Sequence, residues 1–532
     1  MSRNGVPYIG YPKHIDLCNV YSKVMVQDTI YKKAYRTHKL DEVSKALLGY
    51  GKYKDFSGKD FKSLPIEEQI EYSLRDSELV IELSKHNDFE VLDAMYAISE
   101  ITGLDFELVC KTNLSKWWSA IFDRMVKDRE YQARTATSFN GTYYEGAEVL
   151  RPKQGLYHNV AVVDAVSLYP SVAINYNISF DTINCACCKD DPNARITLDG
   201  EFLKDCKFIK QDNCWICRQK EGAFPKKLKV FKEERLKQKK LGNNSKQLAL
   251  KILINGAYGC FGFPGYAYYD PRVAELVTAY GRQILSKMQD AAIELGFEII
   301  YGDTDSLFLH NAPKESLSKF KDLCNADLDI ELEIKNTYFN FILSNVKKHY
   351  LGYGVNDKGK EVLDIVGFEG NKNDRPEYVN HVFKQLVNDI VKDGIDPIPN
   401  LRRAMYDLEQ VRCIINPDLL KISKILGENP EDYKSQTCQA AKIGKALGAK
   451  KGDLIQYFDS DIKKTGKSWS EDPADMDTAK YKQMLWNTVK EILYIAGYSV
   501  EDLSNEFGVK NPKKNNKKSE KTMNDEDGHG NA

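Results

Sequence analysis

The sequence predicts an α+β chain of several domains, and three observations carry that expectation. At 532 residues, 42% of them hydrophobic, the chain can bury more than one core, so three to five subdomains are expected. Short runs rich in strand formers, Val160–Val163, Phe297–Ile300 and Leu307–Leu309, adjoin acid-bearing turns. Residues 226–259 instead read as a helical hairpin, and from Glu377 the apolar residues recur at helical spacing. Strand-forming runs and helical stretches thus share one chain, as an α+β fold requires.

Charge and hydropathy exclude some function classes. No run of about 20 apolar residues occurs, and Met1-Ser-Arg-Asn4 leads into no apolar signal core, so a soluble, unexported, cytoplasmic protein without a membrane partner is expected. A net charge of −1 is not that of a protein coating nucleic acid everywhere; any such binding must use local basic surfaces.

The most informative segment is Tyr301-Gly-Asp-Thr-Asp-Ser306. Gly302–Asp305 has turn chemistry between two strand-forming runs, which predicts a β-hairpin with Asp303 and Asp305 at its tip. Alone, an acidic turn is usually a solvated loop. Upstream, the apolar run Val160–Val163 ends in Asp164 and continues as Ala165-Val-Ser-Leu-Tyr-Pro-Ser171: a buried strand delivering one carboxylate, then a turn in which Pro170 opens a helix through Asn175. Two divalent cations about 4 Å apart need carboxylates from separate strands brought together by the fold. Asp164 and Asp305 are the candidate pair.

The third element is Lys251–Gly259. On a helix, Gln247, Lys251, Asn255 and Tyr258 share one face, Arg235 and Lys239 lie one turn apart, and Leu241–Ser245 reads as the turn between two helices. From Lys226 to Lys251 nine Lys and one Arg stand against two Glu, a local balance of +8. Such a surface suits a triphosphate, or is simply a solvated basic helix pair.

In this order, Asp164–Ser171, Lys251–Gly259 and Tyr301–Ser306 resemble the three polymerase motifs of the family B DNA polymerases. Tyr144–Ala147 is similar to that family's linker between exonuclease and polymerase parts, and Lys347-Lys-His-Tyr350 to its primer-gripping motif, with His349 where an Arg is usual. The resemblance extends to about residue 500 and implies a right-hand architecture of palm, fingers and thumb behind a truncated RNase H-like exonuclease module. The implied divisions are 1–128 for the partial exonuclease module, 129–225 for the first part of the palm with a Cys-rich insertion at 183–220, 226–272 for the fingers, 273–375 for the second part of the palm, 376–508 for the thumb and 509–532 for a disordered tail. In the palm-closing stretch, Ile365–Gly370 and Lys372–Arg375 carry the likeness; in the thumb, Gly452–Tyr457 looks like a short strand.

The resemblance also implies the chemistry: deoxynucleotide addition to a primer 3′-hydroxyl on a DNA template with two Mg2+ ions, making the chain a DNA-directed DNA polymerase. Asp164 and Asp305 would hold the metals and Asp303 would assist. Arg235, Lys239, Lys251 and Asn255 would grip the triphosphate, Ser167 and Leu168 would line the nucleotide site, Tyr169 would block a ribose 2′-hydroxyl, and Tyr258 would back the nascent pair. Tyr144, Gly146, Gly259, Thr304, Lys347, Lys348 and Tyr350 would contact DNA. Primer–template DNA and dNTPs are the implied partners, a sliding clamp a further candidate. A reverse transcriptase places its acids side by side, whereas Thr304 separates Asp303 from Asp305. A scaffold subunit without activity is the other alternative.

The N-terminal region departs from the family. Residues 14 to 80 resemble the last third of its proofreading exonuclease, with Tyr72 and Asp76 matching the third motif, but the two upstream acidic motifs have no room before residue 14. No autonomous proofreading is expected: a separate N-terminal exonuclease polypeptide is a candidate partner, with a truncated reading frame or a remnant that serves only as scaffold as the alternatives. The helical stretch Glu67–Leu83 would expose apolar surface if such a partner were missing.

Of 12 cysteines, six cluster: Cys185, Cys187, Cys188, Cys206, Cys214 and Cys217. A Cys-x-Cys-Cys followed by Cys-x-x-Cys suggests a four-thiolate zinc site, with free thiols or a disulfide as alternatives. Cys18, Cys110, Cys260, Cys324, Cys413 and Cys438 are scattered and read as small core residues.

Overall fold

The structure is a computed structural model that describes residues 14–32, 34–35, 37–52, 61, 64–128, 143–368, 375–410, 415–433, 435, 438–451, 453–461 and 466–511. Cys413, Gly370, residues 372–374, Gly452 and nearly all of the expected tail lie outside them. Contacts divide the chain into two compact units: Met1–Leu150 with Val163–Leu307 and Pro313–Glu333, and Arg151–Val162 with Phe308–Ala312 and Ile334–Ala532. Strand order in the larger sheet is β2-β3-β1-β4-β5-β6, where β1 is Gly155–Ala165, β2 Glu298–Asp303, β3 Ser306–His310, β4 Leu332–Leu343, β5 Tyr350–Asn356 and β6 Glu361–Val366.

In the first unit, α1 spans Ile66–Thr102 but bends where Asn87, Asp88 and Phe89 adopt positive φ, and the expected helical stretch Glu67–Leu83 is its segment before the kink. Helix α2, Leu114–Lys127, buries Trp118 and Phe122 among Phe224, Phe231 and Phe261, and the Trp118 indole donates to the Leu253 carbonyl at 3.0 Å. This aromatic cluster seats the helical hairpin read from the sequence. Its arms are α4, Ala223–Lys240, and α5, Asn244–Phe261, joined through Gly242 at positive φ, with the Asn243 side chain accepting from the Lys246 N–H.

Helix α3, Leu168–Asn175, starts two residues before Pro170 because Ser167 takes the left-handed conformation that turns the chain out of β1. Helix α6, Pro271–Glu294, begins with a capping Asp270 and a proline in its first turn. Asp270 also accepts two bonds from the Arg272 guanidinium, both 2.9 Å, which explains how a buried acid is tolerated. Residues 271 to 285 are buried without interruption, so α6 is the central post of this unit.

In the second unit, β5 pairs antiparallel with β4 and β6. Helices α7, Glu377–Val387, α8, Ile398–Glu409, and α9, Thr478–Ile495, share a core of Phe383, Leu386, Leu401, Leu408, Trp486 and Val489. A second sheet, β7 (Ile422–Ile425), β8 (Leu454–Asp459) and β9 (Trp469–Ser470), buries Ile422, Ile455, Tyr457 and Trp469. Helical periodicity anticipated the helices, and the family likeness one of these three strands; each strand is too short to carry a pattern of its own.

Candidate active site

The apolar run Val160–Val163 is buried, as a strand covered on both faces requires, and carries Asp164 to its end. The next residue, Ala165, donates its N–H to the Asp305 carbonyl at 2.8 Å, and Val166 donates to the Glu331 carbonyl at 2.8 Å. The strand end that presents Asp164 is therefore clipped to the turn that presents Asp305. Both residues are half-buried, as is Asp303.

That turn is tighter than an ordinary hairpin. The Asp305 N–H reaches back to the Asp303 carbonyl at 2.6 Å, and Thr304 between them has φ of 61°. This is a three-residue γ-turn, and a β-branched residue at positive φ costs on the order of 1–2 kcal/mol. Surrounding bonds hold it. Thr304 N–H donates to the Glu148 carbonyl at 3.0 Å, its hydroxyl to Asp303 Oδ1 at 3.1 Å, and the Ser306 hydroxyl to the Asp303 carbonyl at 3.1 Å. Leu150 N–H donates to the Gly302 carbonyl at 2.9 Å, and a Cβ on Gly302 would meet Leu150 Cδ1 at 2.7 Å. A side chain there would displace the Leu150 side chain from its seat against the turn.

Tyr169 lies on α3 with its ring centroid 4.5 Å from that of Tyr258 on α5, tilted by 52°. Burial raises the Tyr169 phenol pKa, with Tyr258 and Asp305 adding to the rise and Arg282 opposing it, so these groups share one electrostatic neighbourhood. Tyr144 belongs to it: burial, then Tyr258 and Tyr269, push its phenol up to about 12. Two glycines fit against these rings. A Cβ on Gly281 would lie 2.9 Å from Tyr169 Cε1, and one on Gly262 2.7 Å from the Tyr144 hydroxyl oxygen.

Sequence reasoning missed what anchors the Tyr144–Gly146 segment. From α6, the Thr278 hydroxyl donates to the Glu145 carbonyl at 2.7 Å, and Arg282 Nη1 donates to the carbonyls of Glu145 and Gly146 at 3.0 and 2.7 Å. Charged and amide residues inside an otherwise apolar helix, Glu275, Arg282 and Gln283, were the available signal. Lys232 was also missed; its ammonium donates to the Ser171 hydroxyl at 3.0 Å, and burial lowers its pKa against the opposing fields of Glu331 and Asp329.

On the basic hairpin, Lys251 and Tyr258 are half-buried, whereas Lys239, Asn255 and Gly259 are exposed. Arg235 is half-buried with its Nε lacking a hydrogen-bond partner; burial lowers its pKa and the Glu333 carboxylate opposes that shift. Leu168 is buried. In the second unit, Lys347 and Lys348 are exposed at the turn between β4 and β5, closed by Ser344 N–H donating to the His349 carbonyl at 3.0 Å, with Lys348 at φ 62°. Tyr350 packs its ring on Phe308 and Phe341, each 5.3 Å away.

At the N-terminal motif, Asp76 Oδ2 accepts from the Lys52 ammonium at 2.8 Å, and the same ammonium reaches the Tyr72 hydroxyl at 2.6 Å and stands 4.6 Å from its ring centroid. Asp76 Oδ1 is buried without a partner. Of the six clustered cysteines, the structure brings Cys185, Cys187, Cys188 and Cys217 together, their sulfurs all within 4.8 Å of one another. Cys206 and Cys214 are not in that group: the Cys206 thiol is turned to the Phe202 carbonyl, 3.4 Å away, and Cys214 sits buried after the short helix Lys207–Asp212. Among the scattered cysteines, Cys110, Cys260 and Cys324 are core residues as expected, but Cys18 is exposed and Cys438 only partly covered.

The profile for DNA polymerase family B matches residues 119–462. The chain belongs to DNA polymerase family B. Among its relatives, DNA polymerase 1 of Sulfolobus acidocaldarius is 29% identical over 537 residues, covering 93% of this chain and 59% of that protein. DNA polymerase 1 of Saccharolobus solfataricus is 29% identical over 527 residues, covering 92% and 58%. This family B chain thus spans somewhat under three-fifths of the length of these relatives. The solved family B DNA polymerase of the hyperthermophilic archaeon Pyrobaculum calidifontis shares the fold, with a TM-score of 0.59 and 22% identity over 91% of this chain and 63% of that one. Among the described residues, no helix is long and apolar enough to cross a membrane.

Proposed function

We propose that this family B chain is a DNA-directed DNA polymerase, extending a primer 3′-hydroxyl with deoxynucleotides on a DNA template. The observation that carries this reading is the clip from Ala165 N–H to the Asp305 carbonyl, which joins the strand end bearing Asp164 to the turn bearing Asp303 and Asp305. Aspartate carboxylates are hard oxygen donors of the kind magnesium takes, with Asp164 and Asp305 as the ligands in this reading and Asp303 assisting. Magnesium bound there would acidify the primer hydroxyl and balance charge on the departing pyrophosphate.

The protein's own residues supply position and charge. Arg235, Lys239, Lys251 and Asn255 grip the triphosphate, with Ser167 and Leu168 shaping the turn beneath it. The Tyr169 ring, packed against Gly281 and tilted on Tyr258, closes the space that a ribose 2′-hydroxyl would need. Tyr144, Gly146 and Gly259 line the template side, Thr304 the primer end, and Lys347, Lys348 and Tyr350 hold primer phosphates in a salt-dependent manner. The division into palm, fingers, thumb and partial exonuclease module follows the same reading.

The N-terminal module does not proofread alone in this reading. A lysine ammonium already neutralises Asp76, the acid that motif resemblance assigns to a metal. Ile66, Ile70, Leu74 and Ile81 share one exposed face of α1, between 53% and 60% accessible, which suits a covering polypeptide carrying the remainder of an exonuclease fold. An exonuclease part seated on this face, whether joined to this chain or separately supplied, is the organisation we favour.

Primer extension with magnesium on a DNA template tests the function. Extension with deoxynucleotides but not ribonucleotides, abolished by Asp305→Ala, is expected. A folded protein that extends nothing, alone or with an added exonuclease polypeptide, would establish the scaffold alternative.

A further inference from the structure

We propose that Cys185, Cys187, Cys188 and Cys217 form a closed tetrathiolate zinc site that fixes the start of the basic helix α4, with Cys206 and Cys214 taking no part. The sulfur geometry is the primary argument. A tetrahedral ion with metal–sulfur bonds of about 2.3 Å spaces its sulfurs about 3.8 Å apart. The sulfurs of Cys187 and Cys188 are 3.8 Å apart, those of Cys187 and Cys217 3.5 Å, and those of Cys188 and Cys217 3.9 Å. Cys185 completes the set, with all four sulfurs within 4.8 Å. A disulfide would need about 2.05 Å between one pair and would leave the other two thiols unexplained. An iron–sulfur cluster places several irons and sulfides among its cysteines and would hold them wider apart.

The surroundings suit a structural site. Cys188 and Cys217 are almost fully buried, and the Arg218 N–H points at Cys188 Sγ from 3.5 Å, the kind of outer contact that stabilises a coordinated thiolate. Four protein thiolates leave no open position, so the ion has no direct part in phosphoryl transfer.

What it does is set by Cys217. The N–H of Cys217 donates to the Thr182 carbonyl at 2.9 Å, and its carbonyl accepts from Asn177 Nδ2 at 2.9 Å. The same amide donates to the Lys220 carbonyl and accepts from the Gly222 N–H, both at 2.8 Å. Gly222 is the N-cap residue of α4. The metal therefore closes the insertion onto the root of the helix that carries Arg235 and Lys239. The other half of the insertion is docked without sulfur: Glu275 accepts from the N–H groups of Lys207, Phe208 and Ile209, and Gln283 from that of Asp199. This independent anchor explains why Cys206 and Cys214 are dispensable to the site.

The test needs no polymerase activity. Full-length protein purified under reducing conditions should contain one zinc per chain by elemental analysis, and cobalt exchange should give the intense charge-transfer and d–d bands of a tetrahedral thiolate ion. Cys206→Ser and Cys214→Ser should keep the full equivalent; Cys187→Ser, at the exposed position least prone to misfolding, should lose it. On zinc removal, amide exchange should rise at residues 217–226. Overturning results are a metal-free protein, iron in place of zinc, a mass lowered by disulfide formation, zinc retained by Cys187→Ser, or unchanged exchange at the root of α4.

Discussion

Two regions of this chain carry an aspartate that motif resemblance assigns to a divalent metal, and different contacts position each. Asp76 is fixed through its side chain, by the Lys52 ammonium at 2.8 Å. Asp305 is fixed through its backbone, its carbonyl accepting from Ala165 and its N–H donating to the Asp303 carbonyl. An acid held by its own carboxylate has its charge committed to the fold, whereas one held by its peptide groups is positioned whatever the carboxylate binds. That difference is the basis on which we expect a structural role for Asp76 and a metal-binding role for Asp305.

The largest effect should come from exchanging charges at the two places. Asp305→Ala or Asp164→Ala is expected to lower primer extension by at least about 10³-fold, beyond the roughly 10–100-fold loss given by an outer supporting contact of a metal site. Asp76→Asn should leave extension within about twofold. Single-turnover extension with saturating dNTP measures both, and a large loss at Asp76 would erase the contrast.

Position without charge can be tested at Gly281. Alanine there would bring a methyl to 2.9 Å from Tyr169, an overpacking that costs about 1–3 kcal/mol if the ring cannot move aside. We expect extension to fall about tenfold and discrimination against ribonucleotides to weaken as the ring shifts. Unchanged sugar selectivity, with the same stability loss, would mean that the Tyr169–Tyr258 pair only packs.

How much of this was legible in the sequence differs between the regions for physical reasons. The β2–β3 turn, the strand ending at Asp164 and the hairpin of α4 and α5 are local structures whose patterns lie within a dozen or two residues, and each formed where expected. The clip from Ala165 to Asp305 joins positions 140 residues apart, and no periodicity reports such a contact. The anchoring by Thr278 and Arg282 left only an indirect signal, polar residues in an apolar helical stretch, because a buried arginine donating to carbonyls looks, in sequence, like any helix arginine. The partner of Asp76 was equally invisible, since Lys52 lies in a stretch of unremarkable polarity. Counting six cysteines located the metal-site candidate, but spacing favoured the Cys214–Cys217 pair, and only the fold selects Cys185 over Cys214.

If the side-chain hold on Asp76 is structural, removing the lysine should cost stability rather than activity. Lys52→Met leaves a partly buried carboxylate with neither oxygen paired, and because both side chains are about one-quarter exposed the loss should be on the order of 1–2 kcal/mol, below that of a fully buried pair. Adding Asp76→Asn should recover part of it, because the uncompensated charge is gone. Urea unfolding of the two single variants and the double variant measures the coupling; no coupling would make Lys52 an incidental neighbour.

The smallest effect concerns the exposed face of the same module. Ile70 is 53% and Leu74 59% accessible, so Ile70→Ser with Leu74→Ser removes little buried area and should change the stability of the isolated chain by less than about 0.5 kcal/mol per site. The pair should instead reduce self-association in light scattering and weaken capture of an added exonuclease polypeptide. A loss of several kcal/mol in the isolated chain would show that this face is already covered from within, and the apolar stripe would then belong to the core of the module rather than to a partner.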